Sequence, residues 1–184
     1  MYTYSGRLVV PERGAPALED IAVGLGRICR FGGQCGQFYP VLLHSFVVAD
    51  LLPDALRVYG LLHDAAEVLI GDIPRPMKLA PMKRLELHLQ ARILHSLGLV
   101  WPTRDQIAAL KRADNRALGA EIRSLHNLKL GRFRDFRKPD DQADTALASY
   151  LRRYKPKDCI HADGIAVRDF LTQTKQALRR LRCS

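Results

Sequence analysis

Residues 61–78 read "LLHDAAEVLIGDIPRPMK". His63 and Asp64 interrupt an apolar run, Glu67 and Asp72 add two further carboxylates, and Pro74 and Pro76 then end any regular structure. Burying this much charge is unfavourable unless a partner compensates it. The wider stretch "ALRVYGLLHDAAEVLI" (55–70) has helical apolar spacing, which predicts a helix running up to Gly71. On such a helix His63 and Glu67 are four residues apart, and Asp64 and Glu67 three. One patch would therefore carry an imidazole and two carboxylates.

The preceding stretch, "VLLHSFVVADLL" (41–52), predicts a strongly apolar helix closed by the Pro53-Asp54 turn signal. His44 lies about nine residues before that turn and His63 about nine after it. An αα-hairpin would bring both histidines to one level, ~13 Å from the turn at ~1.5 Å per residue. Two histidines and Asp64 converging between packed helices supply three ligands for a divalent metal. Asp114 is a candidate fourth, with Leu110, Ala113 and Ala117 beside it in sequence, and Glu121 shares its face seven residues on. His88, His95 and His126 fall on helices rich in Leu, Arg and Lys and fit a surface role as well; His161 sits in a loop bounded by Pro and Asp. Mixed imidazole and carboxylate ligation suits Co, Mn, Zn, Fe or Ni better than Ca or Mg, with Mg compatible with a triphosphate substrate. Such a site is hydrolytic in character. Glu67 and Asp72 would stand beside the metal, one to orient or deprotonate a water and the other to help place it or the leaving group.

Outward from this centre, the pattern is helical. Residues 2–10, "YTYSGRLVV", predict a short strand or hairpin turning at Ser5-Gly6. A first helix is predicted from about 17 to 30, ended by Gly32-Gly33, and Pro74, Pro76 and Pro81 keep the segment after Gly71 irregular. Further helices follow in "MKRLELHLQARILHSLGL" (82–99) and "TRDQIAALKRADNRALGAEIRSLHNL" (103–128), then at about 141–153 and 163–181. The reading is one all-α domain over residues 1–184 with a small N-terminal β element, its core at about 17–130 and C-terminal helices at about 141–181.

With 184 residues, 47% of them hydrophobic and 26% charged, the chain has ordinary globular composition. No apolar run approaches the ~18–20 residues that span a bilayer, and the N-terminus lacks a signal-peptide pattern. A cytoplasmic protein without a membrane partner is expected. Cys29, Cys35, Cys159 and Cys183 form no C-x-x-C pair, which removes support for zinc-finger or thioredoxin-like readings and favours reduced thiols.

The net charge of +10 is unevenly distributed: residues 111–138 and 150–184 each hold nine Lys/Arg against three Asp/Glu. That charge is either a solvated helix face or a funnel for phosphates. Arg27 and Arg30, three apart near the end of the first helix, and Lys78 after the catalytic stretch are candidate phosphate contacts, and Arg75 adds a further cation there. A basic nucleic-acid-binding protein is the alternative by charge alone. A single Trp, 7% aromatics and the lack of a recognisable binding motif argue against nucleic acid as a partner. A non-catalytic metal-binding domain is the other alternative.

His44, the His63-Asp64 pair and Asp114, in that order, resemble the H…HD…D pattern of the HD-domain phosphohydrolases. "HDAAEVLIGDIPRPMK" (63–78) is similar to the matching segment of the bacterial 5′-deoxynucleotidases and of the phage-type HD hydrolases, which include dATP triphosphohydrolases. "EDIAVGLGRICRFGGQ…FYPVLLHS" (19–45) is similar to the phage and prophage branch. The similarity covers roughly residues 4–125. It implies an HD-domain helical bundle with His44, His63, Asp64 and Asp114 as metal ligands and Glu67 and Asp72 in catalysis. It also implies Arg27 beside the substrate phosphate and Ile28 against the sugar, where the 5′-deoxynucleotidases carry Trp. Gln34 stands where many phage-type sequences have His, and "PVLLHS" replaces a more polar approach to the first ligand. The implied activity is hydrolysis of a deoxynucleotide, in the host cytoplasm if the chain is phage-encoded. A dNMP 5′-nucleotidase and a dNTP triphosphohydrolase both fit, and the C-terminal charge narrowly favours the triphosphate. The resemblance further implies a homo-oligomer.

Overall fold

In the computed structural model, which describes residues 1–126, 138–154 and 164–182, the chain is all-α. His161, Cys159 and Cys183 lie outside the described residues. The helices are α1 (Leu18–Arg27), α2 (Val41–Asp50), α3 (Arg57–Leu62), α4 (Glu67–Ile70), α5 (Ala80–Ser96), α6 (Arg104–Leu125), α7 (Asp141–Arg153) and α8 (Ile165–Arg182), with single 3₁₀ turns at Arg30–Gly33, Asp54–Leu56 and Arg75–Met77. No described helix is long and apolar enough to cross a membrane.

Helix α2 is the axis of the molecule. Every residue from Val41 to Ala49 is buried, as befits a helix apolar on all sides, and α1, α3, α6, α7 and α8 pack around it. The α2–α3 crossing is close because Gly60 faces Ala49: a Cβ at Gly60 would lie 2.7 Å from the Ala49 Cα. Ala113, Ala117 and Ala120 are buried on α6 and admit it against α2 in the same way. Thr103 caps α6 by accepting from the Gln106 amide, while the Gln106 side chain accepts from the Thr103 amide. Beneath α2, the rings of Phe46, Tyr150 and Tyr154 stack at 5.1–5.9 Å and Phe170 meets Phe46 edge-on.

The N-terminal β element is small: bridges join Tyr2 to Leu8 and Val10 to Arg13. Its turn is fastened to α1 by buried Asp20, which accepts from the Ser5 amide at 2.7 Å, the Ser5 hydroxyl at 3.0 Å and the Ala17 amide at 2.8 Å.

Three expectations change. Helix α1 ends at Arg27 instead of running to 30, because Ile28 and Cys29 turn extended and Cys29 bridges to Pro40. Pro81 does not keep its segment irregular; it falls in the first turn of α5, where the missing N–H is not needed. The predicted helix over 55–70 is split at the His-Asp pair. Gln90 of α5 inserts there, donating to the Leu62 carbonyl at 2.6 Å and accepting from the Ala66 amide at 3.0 Å. Those two backbone groups would have bonded each other in an α-helix. The amides of Ala65, Glu67, Val68 and Leu69 instead reach back three residues, to the carbonyls of Leu62, Asp64, Ala65 and Ala66.

Candidate metal centre

The tightened turn aims Asp64 and Glu67 the same way, since residues three apart eclipse in 3₁₀ geometry. His63 is held from behind: its Nδ1 is 2.8 Å from the Gly60 carbonyl, which leaves Nε2 facing forward. His44, brought alongside by the α2–α3 hairpin, is fixed in the same manner by Glu121, whose Oε1 lies 2.6 Å from Nδ1. The two Nε2 atoms are 3.2 Å apart. Asp114 Oδ1 is 3.2 Å from His44 Nε2, and Asp64 Oδ2 is 3.1 Å from His63 Nε2 and 3.7 Å from His44 Nε2.

The donor atoms of His44, His63 and Asp114 all lie within 4.8 Å of one another, and this group could hold a metal ion. Its chemistry fits one. Two imidazole nitrogens and two carboxylates meet at one point, each imidazole positioned by an acceptor on its far nitrogen. The carboxylates of Glu121 and Asp114 override burial and the Arg30 charge, lifting the His44 pKa to about 9. A proton held there compensates part of the negative charge, but one proton cannot serve all four groups. Burial would raise Asp114, yet His44 and His63 hold it down to about 2; against the same burial, His63, His44 and Arg30 keep Asp64 far below the usual carboxylate range.

Asp64 and Asp114, with the two histidines in contact behind them, face a cavity of about 310 Å³ lined by Arg30, Phe31, Asp64, Glu67, Asp72, Ile73, Pro74, Arg75, Pro76, Lys78, Glu86, Asp114 and Leu118. Five carboxyls against three cations leave a formal excess of two negative charges. Glu67 is buried, and its Oε2 has no hydrogen-bond partner among the described residues. Burial, reinforced by Asp64 and Asp72, pushes its pKa up to about 10. Asp72 accepts from the Phe31 amide at 3.1 Å, holding Phe31 in a left-handed conformation (φ 58°) that a side-chain-bearing residue seldom adopts. Lys78 reaches Glu86 at 2.8 Å and Glu67 at 3.8 Å.

Of the residues singled out in the sequence, His44, His63, Asp64, Asp114, Glu67, Asp72, Arg30 and Lys78 gather here. Arg27 and Ile28 do not line the cavity: Arg27 lies over the Tyr4 ring, and half-buried Ile28 packs on the core. Phe31, one turn of chain later, provides the aromatic wall. His88 and His95 flank a separate surface depression, and His126 meets Phe31 edge-on. The C-terminal basic segments contribute no cation to the cavity among the described residues. Arg116 is spent on Asp140, Arg123 on Asp144 and Arg153 on Asp169.

The residue whose weight the sequence hid is Glu121. Wholly buried, it accepts from Tyr39 Oη at 2.9 Å and Arg30 Nε at 3.2 Å as well as anchoring His44. Burial would raise its pKa, but Arg30, His44 and Tyr39 lower it.

No family model matches the chain. It is similar to two uncharacterized bacterial proteins. YfdR of Escherichia coli (strain K12) is 40% identical over 84 residues, 45% of this chain and 47% of that protein, so the chain spans about half the length of that relative. RCAP_rcc00048 of Rhodobacter capsulatus is 34% identical over 151 residues, 73% of this chain and 76% of that protein.

Proposed function

The chain belongs to the family of the uncharacterized Rhodobacter capsulatus protein RCAP_rcc00048, and from the chemistry of its own site we propose that it is an HD-domain phosphohydrolase that cleaves phosphate from deoxynucleotides. The observation that carries the reading is the convergence of His44, His63, Asp64 and Asp114, the last two of which line a cavity that also holds a Glu67 oxygen unpartnered among the described residues and two cations suited to phosphate, Arg30 and Lys78.

His44, His63, Asp64 and Asp114 would hold a divalent transition metal, Co, Mn, Zn, Fe or Ni by donor type, with Mg compatible with a triphosphate. When bound, such an ion polarises a phosphoryl oxygen and acidifies water. The chain does the rest. Glu67 would accept the proton of the attacking water at its Oε2 once a cation held by the neighbouring donors offsets the Asp64 charge that, with burial and Asp72, keeps Glu67 protonated. Asp72, through the Phe31 amide, fixes the wall against which the sugar and base lie. Lys78 and Arg30 stabilise charge that grows on the phosphoryl oxygens.

The test is turnover by metal-stripped protein with Co²⁺, Mn²⁺, Zn²⁺ or Mg²⁺ restored, against the four dNMPs, the four dNTPs and matched ribonucleotides. Deoxynucleoside should appear with phosphate or triphosphate. Asp64→Ala should lose metal and turnover together, whereas Glu67→Ala should keep the metal and lose turnover. Silence with every metal and substrate overturns the proposal.

A further inference from the structure

Of the three cations at the cavity, two are nearly buried and held in place by carboxylates. The Arg30 side chain is 10% exposed and bonded to Glu121 through Nε, and the Lys78 side chain is 12% exposed between Glu86 and Glu67. Arg75 differs. Its side chain is 55% exposed, and its guanidinium crosses the cavity mouth to bond Asp114 Oδ2 and, at 2.7 Å, Asn115 Oδ1 on α6. Pro74 and Pro76 fix the backbone on both sides of it, so the arm can move by side-chain rotation without loop rearrangement.

Asp114 is therefore shared, with Oδ1 turned to His44 Nε2 and Oδ2 to Arg75. Drawing its negative charge toward a cation at the His44 side weakens its attraction for the guanidinium on the other side. An anion arriving at that moment offers the fork a new set of oxygens. Arginine's planar fork matches phosphate oxygens in paired hydrogen bonds, a geometry that lysine lacks. The position decides which oxygens those are. Asp114 belongs to the group that would bind the scissile phosphate, while Arg75 stands one step outward, at the mouth.

Resting on the phosphohydrolase reading above, we infer that Arg75 reads the length of the phosphate chain: it leaves Asp114 when substrate binds and grips the phosphates beyond the scissile one. The residue thereby selects deoxynucleoside triphosphates over monophosphates. It is a specificity-determining group that touches substrate, and its bond to Asp114 is the resting position of the arm.

The experiment is calorimetric titration of dATP and of dAMP, in excess Mg²⁺, into Co²⁺-loaded Glu67→Ala protein, which does not turn over. Arg75→Ala and Arg75→Lys are added to that background. Arg75→Ala should weaken dATP about 10- to 100-fold, the range for charge-assisted hydrogen bonds, and dAMP less than about threefold. Arg75→Lys should recover part of the dATP affinity, and Co²⁺ affinity should not fall in either variant, since Arg75 and the cation draw on the same Asp114 carboxylate. Equal losses for the two nucleotides, no loss for either, or failure of both to bind overturns the inference. Wild-type protein that fails to bind Co²⁺, or turns over no deoxynucleotide in the screen, overturns the activity itself. Unchanged phosphate-length selectivity in an active enzyme overturns only the role of Arg75.

Discussion

Glu121 concentrates the chemistry of the site in one side chain. Its carboxylate satisfies a buried guanidinium, a buried phenol and the rear nitrogen of His44. Removing one partner of a buried pair leaves an uncompensated charge, so Glu121→Ala should cost about 3–5 kcal/mol. It should also reduce Co²⁺ affinity at least about tenfold, the lower end for losing a group that orients a ligand histidine. Urea denaturation and Co²⁺ titration read the two effects separately. Arg30→Met combined with Glu121→Gln should recover part of the stability and none of the metal affinity, because the charge is gone while the His44 anchor stays weakened. The sequence displayed only half of this role. The seven-residue step from Asp114 put Glu121 on the correct face, but its partners are 77–91 residues away, and spacing along one helix carries no information about them. The arginines illustrate the same limit. Arg27 and Arg30 share a face only if the helix continues past Arg27, and the Cys29–Pro40 bridge ends it, sending Arg30 inward and Arg27 over Tyr4.

At the scale of elements, the hairpin of α2 and α3 was legible because equal distances from the Pro53-Asp54 turn suffice to bring His44 and His63 level. The break in the second arm was not. It depends on Gln90 from α5, a residue that looks like any polar position in an amphipathic helix until its amide is seen between Leu62 and Ala66. Gln90 acts through the turn it creates, which directs Asp64 and Glu67 into the cavity. Gln90→Leu keeps the volume but removes both hydrogen bonds. The freed Ala66 amide and Leu62 carbonyl can then close an α-helical bond with each other, rotating Asp64 away from His44. The expected outcome is a stability loss of only about 1–3 kcal/mol, the usual cost of a broken buried hydrogen-bond set. Co²⁺ affinity should fall disproportionately, with thermal melts and metal titration as the paired measurements. If affinity drops no more than in a control such as Ile93→Val, which trims the buried face of the same helix, Gln90 is packing and the turn is set by something else.

Across the whole molecule, charge is sorted more sharply than the total of +10 suggests. Three of the described C-terminal arginines fasten helices to one another: Arg116 and Arg123 on α6 to Asp140 and Asp144 beside and within α7, and Arg153 on α7 to Asp169 on α8. The cavity, by contrast, gathers more carboxyls than cations into the one region where α2, α6 and the turn before α4 meet. Folding must hold those groups together, so a cation that binds only the folded chain should stabilise the entire molecule. At a free concentration of 100 times its Kd, Co²⁺ should add about 2.7 kcal/mol, and a chelator should remove it. Glu67→Gln, which removes no proposed ligand, should keep that increment. His44→Ala should lose it, because the imidazole at the centre of the donor group is gone. Urea denaturation of the three proteins with Co²⁺ and with EDTA measures all of this in one series. A Co²⁺ increment of equal size in wild type and His44→Ala would mean that the ion binds elsewhere, and the assignment of the centre to His44, His63, Asp64 and Asp114 would fall with it.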